Sequence, residues 1–91
     1  MNKLEIINEY LEDSDITTLS ADGFDDAVLG VACIKQTGIY VLVYSVAKCL
    51  DILIKRDHMS KEEAYEYFEF NVEGAYVGEK TPIWVDDMVM E

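Results

Sequence analysis

Ninety-one residues supply one domain and leave no room for a second, and an apolar content of 51% excludes a disordered chain. Nineteen Asp and Glu against seven Lys and Arg leave a formal net charge of −12. That charge disfavours direct contact with nucleic-acid phosphates or an anionic membrane, costs stability by self-repulsion, and steers basic partners toward the surface.

The first residues, Met1 to Glu9, are charged from Lys3 onward and hold no continuous apolar region, so no signal peptide is expected. Leu4, Ile7 and Leu11 recur at helical spacing between Lys3 and Glu12, with Ile6 and Tyr10 beside them. This predicts a short amphipathic helix. Residues 1–21 read as that helix and a polar connector, and Asp22-Gly23 marks a turn.

Two apolar, β-branched runs follow, Ala27 to Ile34 and Ile39 to Tyr44, joined by Lys35-Gln-Thr-Gly38. They predict an antiparallel hairpin. Neither run alternates with polar residues, so both sheet faces need cover. A second protomer is one source of cover, and a homodimer is expected on that ground. The apolar run Ile39 to Tyr44 is far too short to span a bilayer. Cys33 and Cys49 stand apart without metal-ligand spacing and read as free buried thiols in a reducing cytoplasm.

Ser45 is placed to cap a helix over Val46 to Asp57, with Val46, Cys49, Leu50, Leu53 and Ile54 as its core stripe. Asp51 and Lys55 sit four apart on its other side, and Ile52 falls among those charges, exposed or at an interface. Ser60-Lys-Glu-Glu63 is a capping box, so a further helix starts at Lys61 and runs to Glu73, stopping at Gly74. Ile83-Trp-Val85, behind Pro82, predicts a short third strand at an edge. Residues 86–91 read as a loose C-terminal tail. The whole is a small α+β domain spanning residues 1–91, two layers deep: an antiparallel hairpin or three-stranded sheet packed with about three helices.

On a helical wheel Glu62, Glu66, Glu69 and Glu73 form one continuous stripe, with no base placed to pair with them. Such a stripe is either a solvated face or a docking strip for a basic groove, imitating nucleic-acid phosphates. Ala64, Phe68, Val72 and Ala75 lie opposite, together with Asn71, whose amide is expected to be buried and hydrogen-bonded. Tyr65, Tyr67, Phe70, Tyr76 and Trp84 are expected to be mostly core. Asp22, Asp25 and Asp26 crowd the turn before the first strand. They lack the alternating positions and distal glutamate of a calcium loop, so capping is the expected duty. No nucleophile–base pair, phosphate-cradling loop or metal-ligand spacing is present, so neither catalysis nor a cofactor or metal is expected.

Three blocks carry a wider resemblance: Asp22-Gly-Phe-Asp-Asp-Ala-Val-Leu-Gly30, the helix around Tyr44 to Leu53, and Glu63-Ala-Tyr-Glu-Tyr-Phe-Glu-Phe-Asn-Val-Glu-Gly-Ala-Tyr-Val-Gly-Glu-Lys-Thr-Pro-Ile83. Together they resemble a family of small acidic proteins found largely in bacteriophage genomes. The resemblance covers about two-thirds of the chain and leaves the first twenty-one residues outside. One departure is His58, where family members tend to have a glycine; a residue with a Cβ must adopt a left-handed conformation there or end the helix differently. The resemblance implies no enzymatic activity. It implies an inhibitor of host machinery, such as restriction-type or BREX-type defence, acting in the host bacterial cytoplasm; the acidic stripe adds the expectation of a host protein with a basic surface. The alternative expectation is a protein that binds a small molecule or nucleotide in a pocket between protomers.

Overall fold

The computed structural model of the chain describes residues 2–73 and 78–87. At its centre β1 (Val28–Ile34) and β2 (Ile39–Ser45) pair antiparallel, as their composition dictates. Gly38, at φ 73°, turns the chain between them and donates its N–H to the Ile34 carbonyl at 2.7 Å. That left-handed conformation is free of strain only without a Cβ. A bulge between Val28 and Gly30 accompanies the exposure of Leu29. β3 (Ile83–Val85) adds to the far side of β2, parallel to it, giving the order β1-β2-β3. The expected α+β domain with three strands and three helices is the architecture observed.

α1 (Lys3–Glu12) is capped by the Asn2 side chain, which accepts from the Glu5 N–H at 2.9 Å. It ends with Asp15 left-handed at φ 60°, which lets the Asp15 and Ile16 N–H groups turn back to the Glu12 and Leu11 carbonyls, both at 3.2 Å. α2 (Val46–Arg56) starts on Ser45, whose Oγ accepts from the Lys48 N–H at 3.0 Å. It buries Val46, Cys49, Leu50 and Leu53, while Asp51 and Lys55 pair at 3.0 Å on its exposed side. Ile52 is half-buried against the core, not exposed among those charges, and Ile54 packs there too. α2 ends at the left-handed His58, φ 57°, and the Leu53 carbonyl accepts from both Asp57 and Met59 N–H groups at 3.1 and 3.4 Å. Of the two outcomes open to a non-glycine at that position, the chain adopts the strained one. α3 (Lys61–Phe68) carries the expected capping box, the Ser60 and Glu63 side chains each accepting the other's backbone N–H at 3.1 Å.

The core gathers Leu42 and Tyr44 of β2, Cys49 and Leu53 of α2, and Ala64 and Phe68 of α3, with Leu4, Phe24 and Val28 closing it. Trp84 of β3 tilts against the Tyr44 ring at 4.9 Å and meets the Phe68 ring edge-on at 5.4 Å. The Tyr44 hydroxyl accepts from the Ala21 N–H at 2.8 Å, which ties the connector after α1 to the sheet. Burial pushes the Tyr44 hydroxyl's pKa up, against the lowering effect of that bond. Cys49 is buried and Cys33 half-buried, both free; burial, reinforced by the Asp87 carboxylate, pushes the Cys49 thiol up to about 12.

Two expectations need correction. Successive strand residues point to opposite faces, yet Val41 and Leu42 are both 0% exposed. One chain therefore covers both faces at the sheet's centre, which removes the ground for inferring a homodimer from the doubly apolar strands. The tail expected from Asp86 onward is anchored as far as Asp87, whose carboxylate accepts from the Ser45 hydroxyl at 2.5 Å and from the Ala47 N–H at 2.9 Å. A carboxylate at a helix N-terminus meets unpaired N–H groups and the positive end of the helix dipole. Residues 88–91 lie outside the described residues.

Candidate functional site

α3 presents the acidic stripe. Its capping box fixes where the helix starts, and Ala64 and Phe68 fix which side faces the core, so Glu62, Glu66 and Glu69 are turned outward and exposed. Among the described residues no Lys or Arg forms an ion pair with any of the three; the pairs present are Lys55–Asp51 and Arg56–Asp57. The side chain of Glu73 lies outside the described residues, so the fourth member of the predicted stripe is not placed.

The helix does not run on as a regular α-helix to Glu73. Past Phe68 it widens into a π-helical turn over Glu69–Glu73, where i→i+5 bonding changes the number of residues per turn. A wheel drawn at constant angle loses its register there, and Asn71 shows the consequence. It is exposed, not buried, and its Nδ2 donates to the Tyr67 carbonyl of its own helix at 3.2 Å. Val72 remains half-buried against the core.

The aromatic residues divide differently from expectation. Trp84 packs half-buried against the core, but Tyr65 and Tyr67 are exposed and Phe70 is 81% exposed; Tyr76 lies outside the described residues. Phe70 and Tyr67 share a shallow groove of about 360 Å³ with Met59, Glu63, Glu66 and Asn71. Carboxylates and an unburied phenyl ring thus occupy one surface. Exposed aromatic side chains on a charged face are the residue types that dominate interface energies, because a ring buries a large area at small entropic cost. Sequence reasoning located the carboxylates but grouped this ring with the core because it lies in an aromatic-rich run, although helical spacing already sets Phe70 on the side away from Phe68.

The Asp22–Asp26 segment has a different anchor from the one expected. Asp25–Ala27 forms a 3₁₀ turn whose cap carries no side-chain hydrogen bond, so the aspartates do not cap it. Arg56 holds the turn instead. Its Nη1 donates to the Gly23 carbonyl at 2.6 Å, its guanidinium lies 5.6 Å from the Phe24 ring centroid, and Asp57 accepts from Nε and Nη2 at 3.0 and 3.1 Å. A hydrogen bond from that guanidinium holds the Asp57 carboxyl below its ordinary range. Gly23 is left-handed at φ 87°, and a Cβ there would meet Arg56 Nη1 at 3.0 Å. Among the described residues no group of three or more His, Cys, Asp or Glu is placed to hold a metal ion.

One deeper cleft, of about 280 Å³, opens between Phe24, Tyr67, Val72, Pro82 and Trp84 within a single chain, with Leu19, Asp22 and Asn71 on its walls. The buried Trp84 Nε1–H meets no acceptor among the described residues. Among the described residues no helix is long and apolar enough to cross a membrane. Compared with family models, with curated proteins and with solved structures, the chain shows no match.

Proposed function

We propose that the chain is a phage-encoded acidic binding protein that docks through α3 on a basic surface of a host protein in the bacterial cytoplasm and inhibits it. The observation that carries this reading is the exposed Phe70 ring sharing a groove with Glu66, on a helix whose outward Glu62, Glu66 and Glu69 have no ion-pair partner among the described residues. Carboxylates at this spacing meet a groove built for phosphates, and the ring supplies the desolvated anchor that charge alone lacks. The net charge of −12 speeds encounter with such a groove. The target class is a nucleic-acid-handling component of anti-phage defence, of BREX or restriction type; this part rests on the resemblance of the three sequence blocks. The test is affinity and inhibition against purified candidate components. Glu62→Gln/Glu66→Gln/Glu69→Gln is expected to bind about tenfold more weakly and to lose most of its salt dependence between roughly 50 and 300 mM. Phe70→Ala is expected to weaken binding by a similar factor while keeping the salt dependence. Unchanged affinity in both variants removes α3 from the interface.

The aromatic cleft beside Trp84 favours a second reading, a small-molecule or nucleotide-binding protein. This cleft is formed within one chain, unlike the interprotomer pocket expected from sequence. Thermal-shift measurements with nucleotides and divalent ions decide the matter: this reading requires a rise in melting temperature that saturates with ligand.

A further inference from the structure

β1 is an outer strand of the sheet. Apart from its ladder with β2 and bonds to the adjoining 3₁₀ turn and hairpin loop, its backbone makes no hydrogen bond among the described residues. Every second residue of an edge strand turns its N–H and C=O away from its neighbour, so β1 carries a row of unmet donors and acceptors. Those groups need water or a partner, and no part of the strand past Val28 is fully buried: Leu29 is exposed and residues 30–34 are half-buried.

Edge strands are ordinarily guarded by lysine, proline or an inward charge. Val28-Leu-Gly-Val-Ala-Cys-Ile34 contains none of these, and its own guard is the bulge at Val28/Gly30. Charge supplies the remaining protection. Asp25 and Asp26, just ahead of β1, line a groove with Asp51, Lys55 and Arg56 of α2, whereas α1, packed against β1, carries exposed Glu5, Glu9 and Glu12. Two copies at −12 each repel, so these charges oppose β1 pairing with a second copy. The same charges attract a strand that carries Lys or Arg.

We propose that the outer edge of β1 takes up an extended basic segment of a partner protein by strand addition. Backbone bonds to β1 supply affinity, and alternate Lys or Arg side chains reach the α1 glutamates. The edge is a different element from the α3 strip, so either can fail alone. The probe is a synthetic peptide of alternating lysine and valine, matched to β1 in length and titrated into the isotope-labelled full chain. Exchange of the outward-facing β1 amides is expected to slow about tenfold. A peptide of equal charge, N-methylated along its bonding edge, is expected to lose this effect, and a glutamate–valine peptide to show none. The Glu62→Gln/Glu66→Gln/Glu69→Gln variant is expected to keep the full protection of β1. Three results overturn the proposal: no protection of β1 by the lysine peptide, equal protection by its N-methylated form, or a chain that sediments alone as a dimer with β1 already protected.

Discussion

His58 holds a left-handed backbone, φ 57°, and its side chain makes no hydrogen bond among the described residues. That conformation costs an L-residue roughly 1–2 kcal/mol, and glycine would recover it less about 0.5–1 kcal/mol of added unfolded-state entropy. His58→Gly is therefore expected to stabilise the fold by about 0.5–1 kcal/mol, read as a rise of about 2–8 °C in melting temperature. Asp87 makes the opposite case. Hydrogen bonds from Ser45 and Ala47 hold its carboxyl below the ordinary range, so its stabilising effect is present above the unfolded pKa and fades as pH falls through the folded one. Asp87→Asn is expected to cost about 1–2 kcal/mol at neutral pH. Denaturant titrations should show the gap between variant and wild type closing as pH is lowered through and below about 4.

At the level of elements, capping and turn chemistry were legible in the sequence because each signal is complete within four residues. Ser60 with Glu63, Ser45 with Lys48, and Gly38 in its loop all stand where that chemistry places them. The π turn after Phe68 was not legible, because no residue type in Glu69–Glu73 demands it. With it goes the register of the last predicted turn, so Asn71 is exposed where a regular wheel sets it on the core side. The correction has a measurable form. Phe68→Ala should cost about 3–5 kcal/mol in equilibrium unfolding, whereas Asn71→Ala, removing an exposed bond to its own helix, should stay within about 0.5 kcal/mol. A buried-amide penalty at Asn71 would restore the regular-helix reading.

Over the whole molecule, the charge of −12 was readable from composition, but its distribution was not. The described ion pairs use Asp51 and Asp57 alone, both at exposed positions worth little. Most of the acidic charge therefore acts as unrelieved repulsion, and melting temperature is expected to rise as NaCl is taken from about 10 mM to about 300 mM, where screening shortens the reach of that repulsion severalfold. A flat response would mean that local pairing already cancels the field. Long-range closure was equally hidden in the sequence, since Ser45 and Asp87 are 42 residues apart. That separation has a consequence for synthesis. β2 and α2 leave the ribosome well before their closing partners, and until Ile83–Val85 and Asp87 emerge, β2 lacks a neighbour on one side and α2 lacks its carboxylate cap. Closure of the nascent fold therefore waits on Ile83–Asp87, and an arrested intermediate stalled before that segment emerges should be protease-sensitive across α2 while the β1–β2 hairpin is already paired.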